Sequence, residues 1–246
     1  MRKIRIFISS PGDVRQERSI AQHVLAELGR LYAPYAELEV LMWEDFPLTS
    51  DTTFQEGINY FLENEVIDIA VFILWSRLGT PLCTKFTKPD GSPYNSGTEY
   101  EFDLMNRFRL AEGWPRFILT YVKESECRPA VGNMEELLEE FRQKERVQAF
   151  LREHFRDEAS NSNYAYMQFG EGATFEQKFR THMRGAIKSI LGDVGEIREW
   201  EGNPYVGLNS FEYDQSSIFC GRKQLVYETV SRLIDLTDEK SEAKRS

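Results

Sequence analysis

Two glutamates stand close together at the start of a predicted helix, where a carboxylate can do chemistry. Residues 98–111 have helical apolar spacing, and Glu101 heads the inward stripe that continues with Leu104 and Met105. An acid has no packing role at that position. Glu99 lies on a neighbouring face, which we predict to be wetter. The alternative is that both carboxylates only favour the positive helix N-terminus, which is worth about 0.3–1 kcal/mol each.

Two serines, Ser9 and Ser10, end the first predicted strand and lead into a turn at residues 10–12. Asp13 and Gln16 have the spacing of a capping box at the start of the helix that follows. Near a helix N-terminus, the serine hydroxyls are candidates to bind a phosphate or a ribose. The sequence is equally compatible with ordinary turn and cap chemistry for both.

Two tryptophans, Trp43 and Trp75, stand at the ends of the second and third predicted strands. Their flat rings are suited to stacking on an aromatic ligand. Packing in the core is the more common use of tryptophan and is the alternative here. The same loops carry Asp45 and Arg77, which we include among the candidate ligand-binding residues.

Strand-like and helix-like segments alternate along the chain. Predicted strands cover residues 4–9, 38–43, 67–75, 117–122 and 164–169. The first predicted helix follows Asp13, and the others cover residues 54–62, 98–111, 134–155 and 175–191. This order predicts an α/β fold, a flavodoxin-like, doubly wound, five-stranded parallel sheet in the order 2-1-3-4-5. Ligands of such sheets bind beyond the carboxyl ends of the strands, here beside strands one and three.

The composition of the chain and the absence of several motifs argue against some classes of function. The formal net charge of −10 argues against broad binding to nucleic acid or to an anionic membrane. There is no phosphate-binding G-x-x-x-x-G-K-[ST], no G-x-G-x-x-G and no H-E-x-x-H. Three scattered cysteines and three histidines within helical patterns predict no metal site and no disulfide framework. Without a signal peptide or an apolar run of membrane-spanning length, we expect a cytoplasmic protein.

Three segments carry a resemblance to a known family. RIFISSPGDVRQER, LWSRLGTP and NSGTEYEF are similar to the TIR-like domain at the N-terminus of many STAND or NACHT proteins, and together they cover roughly the first 110 residues. Enzymatic TIR domains cleave the bond between nicotinamide and ribose in NAD. They use a glutamate at the start of the third helix that is followed by an apolar residue. The resemblance implies that Glu101, followed by Phe102, is this glutamate, with Glu99 as the second choice.

A second resemblance lies near the C-terminal end. NPYVGLNSFEYDQSSIFCGR is similar to the lead-in of bacterial STAND NTPases, in which a Phe-x-Gly-Arg element packs near the adenine of ATP. Phe219, Gly221 and Arg222 match that element. The resemblance implies a TIR-like domain at residues 1–191, a linker at 192–203 and a truncated NTPase start at 204–246. Because no phosphate-binding loop is present, we expect ATP binding only in a longer protein.

Together the two resemblances predict an effector attached to a switch. The effector would cleave NAD once the NTPase module oligomerises in response to a ligand sensed by a missing C-terminal region, as in bacterial antiphage defence. Two alternatives stay open from the sequence. One is a non-catalytic TIR-like module that signals by self-association. The other is a nucleoside deoxyribosyltransferase-like enzyme, since such enzymes share the layout and also use a carboxylate.

Overall fold

The computed structural model describes residues 1–42, 65–82, 85–125, 134–155 and 165–192. These residues belong to one compact unit, Met1–Val194. They form a single five-stranded sheet whose strands all run parallel in the order β2-β1-β3-β4-β5, as predicted. The strands are β1 (Arg2–Ser9), β2 (Ala36–Met42), β3 (Ile69–Leu74), β4 (Phe117–Lys123) and β5 (Tyr166–Phe169).

Within the described residues, four α-helices flank these strands. They are α1 (Arg15–Tyr32), α2 (Gly97–Glu112), α3 (Met134–Phe155) and α4 (Gly172–Leu191). A single 3₁₀ turn, Gly12–Val14, precedes α1. The helix predicted at 54–62, the proposed linker and the NTPase start lie outside the described residues. None of the described helices is long and apolar enough to cross a bilayer.

The central strand β3 is the most buried element. All six of its residues are buried, as its unalternating apolar sequence predicted for a strand covered on both faces. Phe72 of β3 packs edge to face against Phe102 of α2, with 5.1 Å between the ring centroids, on the face that α2 and α3 cover. Tyr121 of β4 contacts Phe175 of α4 on the opposite face. Each such buried side chain contributes about 1.5–3 kcal/mol relative to an exposed one.

The strand order creates a switch point at β1. This strand pairs with β2 on one side and with β3 on the other. The chain therefore passes from β1 to β2 on one side and then returns to β3 on the other, which reverses the direction of the crossovers. A crevice forms where the helices diverge, at the carboxyl ends of β1 and β3. Ser9 is the last residue of β1, and the register places it opposite Phe72 of β3. The sheet thus brings the loops after these two strands to one edge.

Candidate functional site

A cavity of about 350 Å³ lies at the predicted switch point. Three stretches of chain line it: the end of β1 with the turn after it, residues 79–82 after β3, and the first turns of α2. Arg18 of α1 completes the described wall. The volume is at the lower end of the range typical of small-molecule sites. The position agrees with the sequence-based expectation.

Glu101 lies in the wall of this cavity. Glu101 is only 7% exposed. The next residues on the same face of α2, Leu104 and Met105, are buried in the core. The predicted inward orientation of Glu101 is therefore confirmed. A carboxylate in a largely apolar recess can stabilise a developing positive charge more strongly than one in open water.

Glu99 occupies a different environment. At 1% exposure it is more buried than Glu101, so the predicted wetter position is wrong. The reason is the loop before α2, which folds over this carboxylate. Lys88 Nζ lies 2.8 Å from Glu99 Oε1, and the backbone N–H of Asn95 donates to Oε2 at 2.6 Å. The Ser96 hydroxyl caps α2 by accepting from the Glu99 N–H at 3.0 Å. Glu99 does not line the described cavity.

Ser10 takes part in loop architecture. Arg18 Nε donates to Ser10 Oγ at 2.8 Å, and Arg18 Nη2 donates to the carbonyls of Ser10 and Pro11 at 2.9 and 3.1 Å. These bonds fix the turn after β1 against α1. Although Ser10 lines the cavity, its hydroxyl already has a charged partner within the protein.

Ser9 differs from its neighbour. It lines the cavity and is 2% exposed, and its hydroxyl has no hydrogen-bond partner within the described part of the chain. A buried polar atom without a partner is uncommon in folded proteins. Of the two serines predicted to bind a ligand, Ser9 is therefore the one whose hydroxyl remains unsatisfied.

Asp13 connects the loops after β1 and β3. Its Oδ2 accepts three bonds of 3.0 Å, from the N–H and hydroxyl of Ser76 and from the N–H of Arg77. The predicted capping box with Gln16 is wrong, because neither the 3₁₀ turn nor α1 has a side-chain cap. The Asp13 carboxylate is instead used by a loop 63 residues further along the chain.

Two further candidate residues, Trp75 and Arg77, do not line the described cavity. The indole N–H of Trp75 donates to the Ser125 carbonyl at 3.0 Å, and Lys123 Nζ lies 4.7 Å from its ring centroid. Trp75 and the exposed Arg77 are absent from the described wall. Five other candidates lie outside the described residues: Trp43, Asp45, Phe219, Gly221 and Arg222.

Several wall residues were not among the individual candidate residues, including Thr98, Gly79 and Arg18. Gly79 does lie in the loop after the third predicted strand, which the sequence analysis placed at the ligand-binding edge. Thr98 stands one helical turn before Glu101, so the i, i+3 spacing was a usable signal. Gly79 has φ of +117°, and a Cβ there would lie 3.2 Å from Ser96 Cβ. The loop after β3 can therefore approach the start of α2 this closely only with glycine.

A second polar cluster surrounds Glu99 on the far side of α2. Ligand atoms of Glu99, Glu153 and His154 lie within 4.8 Å of one another, a grouping that the sequence did not predict. Lys88 Nζ lies 2.8 Å from Glu99 and 3.2 Å from Glu153, so an ammonium group already pairs with both acids. Burial lowers the pKa of His154 and raises the pKa of the neighbouring Asp103 carboxyl.

The fold and the cavity define a flavodoxin-like α/β protein with a ligand-sized recess at its switch point. No model of a known protein family matches the chain, and no curated protein shows significant similarity to it.

Proposed function

We propose that this domain cleaves the N-glycosidic bond between nicotinamide and ribose in NAD, with Glu101 as the catalytic carboxylate. The observation that carries the proposal is the place of Glu101, which lies nearly buried in the wall of the switch-point cavity. The resemblance of the NSGTEYEF segment to enzymatic TIR domains supplies the choice of substrate.

The reaction suits a site with one carboxylate. Breaking the bond generates an oxocarbenium-like ribosyl group, whose positive charge the Glu101 carboxylate stabilises. Nicotinamide leaves as a neutral base because it is cationic in NAD, so its departure needs no general acid. Water then adds to the anomeric carbon and releases one proton. The products are nicotinamide, ADP-ribose and H⁺.

The resemblance of the C-terminal segment to STAND NTPases supports regulation of this activity by an NTPase module. In this proposal the intact protein senses a ligand through a further region, binds ATP in its NTPase module and oligomerises. Oligomerisation then brings the TIR-like domains together and turns on NAD cleavage in antiphage defence. Residues 1–191 form the effector in this scheme, and Phe219, Gly221 and Arg222 contribute to the adenine site.

Nicotinamide release by the chain, fused to a scaffold that clusters it, tests the catalytic proposal. We expect Glu101→Gln to lower the rate by on the order of 100-fold or more, measured at a temperature at which melting curves show both proteins to be folded. Glu99→Gln is the matched control, because it alters the other glutamate of the same helix. Since Glu99 pairs with Lys88, this variant should lose stability but keep activity below its melting temperature.

Two other results would redirect the interpretation. If the clustered wild-type chain releases no nicotinamide, the NAD hydrolase proposal is wrong. If the ribosyl group passes to an added nucleoside or base in preference to water, the enzyme is a transferase of the nucleoside deoxyribosyltransferase type. Product analysis with and without such an acceptor separates hydrolysis from transfer.

A non-catalytic role in self-association is the second candidate, and a surface of α3 favours it. Met134, Leu138 and Phe141 follow one another at i, i+4 and i+7, and Phe141 is 58% exposed. Apolar stripes of this kind mark contacts with another protein. If a second copy of the chain covers the stripe, Phe141→Glu should abolish a concentration-dependent increase in sedimentation coefficient. Gln148→Glu, an equal charge change at another exposed position of α3, should not.

A further inference from the structure

The hydroxyl of Ser9 is a buried polar group with no partner in the described part of the chain, and Ser9 is one of the residues that line the cavity. Folding removes this hydroxyl from water without a replacement hydrogen bond, which lowers the stability of the unliganded protein. Natural proteins keep destabilising groups of this kind mainly at functional sites. Ser9 therefore needs an explanation beyond packing.

Two other hydroxyls in the same unit show what is particular to Ser9. The Ser10 hydroxyl also lines the cavity, but Arg18 Nε already donates to it. The Thr120 hydroxyl on β4 is buried and has no partner among the described residues, but Thr120 does not line the cavity. Of these three, only Ser9 combines an unsatisfied hydroxyl with a place in the wall.

The charges around the cavity indicate which part of a substrate Ser9 meets. Arg18 alone is cationic among the described wall residues, and its guanidinium donates to Ser10 and Pro11. Glu101 adds a carboxylate to the same wall, which disfavours a bound phosphate. A sugar hydroxyl has no such conflict, because it can donate to one group and accept from another.

We propose that Ser9 Oγ binds a ribose hydroxyl of the N-ribosyl substrate, so that the end of β1 recognises the sugar and not the phosphates. This inference rests on the proposed function for its choice of substrate. It assigns to Ser9 a substrate-binding role that the sequence left divided between phosphate and ribose. The cavity, at about 350 Å³, is of a size for the nicotinamide riboside half of NAD, with the remainder of the dinucleotide outside the described wall.

A consequence is that the binding of nicotinamide riboside, which has no phosphate, should depend on Ser9 as strongly as the binding of NAD does. The test uses the whole chain in a Glu101→Gln background, so that both ligands bind without being consumed. Calorimetric titration with NAD and with nicotinamide riboside is compared before and after adding Ser9→Ala. Loss of one neutral hydrogen bond predicts affinity lower by about 3- to 10-fold, by the same factor for both ligands.

Stability separates ligand binding from a structural role. Because the Ser9 hydroxyl makes no bond within the described protein, Ser9→Ala should leave the melting temperature of the unliganded chain unchanged or raise it. Thr120→Val is the matched control: it also removes an unpartnered buried hydroxyl, and it should leave both affinities unchanged. A Ser9→Ala variant that loses stability but not affinity would overturn the inference.

The binding readout also distinguishes failure of the inference from failure of the proposed function. Equal affinities with and without Ser9→Ala overturn the inference, and so does a loss confined to NAD, which indicates recognition of phosphate. Neither result affects nicotinamide release by the clustered wild-type chain. If that chain releases no nicotinamide but Ser9→Ala still weakens both ligands, the hydrolase is wrong and the sugar contact stands. Absence of binding by either ligand overturns the inference.

Discussion

Glu17 is almost fully buried on the first turn of α1, where Lys123 Nζ lies 2.7 Å from its carboxylate. Removing either charge would leave the other without its partner, which typically costs about 3–5 kcal/mol. Asp13 and Arg18 also hold neighbouring loops, but through hydrogen bonds with neutral groups. These three charged residues near the start of α1 therefore have structural partners within the fold. The candidate chemistry of the cavity depends on Glu101 and Ser9.

His182 provides a pH-dependent test of a single partly buried residue. Its Nδ1 lies 3.0 Å from the Tyr121 hydroxyl, and burial, with a contribution from Lys178, lowers the pKa of His182 below 6.5. Between this lowered pKa and the ordinary value, the unfolded chain binds more protons than the folded chain. The free energy of unfolding should therefore fall as the pH drops below about 6.5.

Urea denaturation between pH 5 and pH 8 measures this dependence. His182→Gln should show a shallower loss of stability at low pH, while burial of His154 leaves part of the loss in place. Tyr121→Phe leaves the His182 imidazole in place, so this variant should keep the contribution of His182 to the pH dependence of stability. An identical pH dependence in wild type and His182→Gln would show that His182 does not contribute.

At the scale of elements, the sequence correctly predicted the helices and strands that short-range apolar patterns determine. The unbroken apolar run of β3 and the helical spacing of α2 identified both elements, and the bounds predicted for α3 match. The environment of Glu99 was not predictable in this way. It depends on Lys88, 11 residues earlier and in a loop, and no periodicity places that loop over α2. Asp13 was misassigned for the same reason, since its partners are Ser76 and Arg77.

The loop after β3 depends on glycine at position 79. Its φ is +117°, and Ser96 Cβ lies 3.2 Å from the position that an added methyl group would take, so Gly79→Ala adds both backbone strain and a close contact. We expect a loss of about 1–3 kcal/mol in the free energy of unfolding, measured by urea denaturation. Gly29→Ala is the control, because Gly29 lies within α1 and a methyl there meets no atom within 4 Å.

The control should change stability in the opposite direction. Alanine is about 0.5–1 kcal/mol more favourable than glycine within a helix, so Gly29→Ala should stabilise the protein. The two substitutions add the same methyl group and differ only in its surroundings. Equal effects at both positions would contradict the requirement for glycine in the loop after β3.

At the scale of the whole molecule, the fold and the place of the cavity followed from the alternation of strands and helices. The strand order 2-1-3-4-5 fixes the switch point, and the cavity lies there. The strand order did not identify every residue of the wall, since Arg18 comes from α1 and Gly79 from a loop that packs close to Ser96. The net charge of −10 is a further property of the whole chain, and it acts on any charged substrate that approaches.

This charge predicts opposite salt effects on two substrates of the proposed hydrolase. NAD is a net anion and nicotinamide riboside is a cation, so the field of an acidic protein repels the first and attracts the second. Raising the ionic strength from about 0.01 M to about 0.15 M shortens the screening length from about 30 Å to about 8 Å. The KM for NAD should fall and the KM for nicotinamide riboside should rise, each on the order of twofold to tenfold. Steady-state nicotinamide release, from chains fused to a fixed scaffold so that salt does not change assembly, measures both. A shift in the same direction for both substrates would mean that salt acts on the enzyme itself and that the net charge does not steer its substrates.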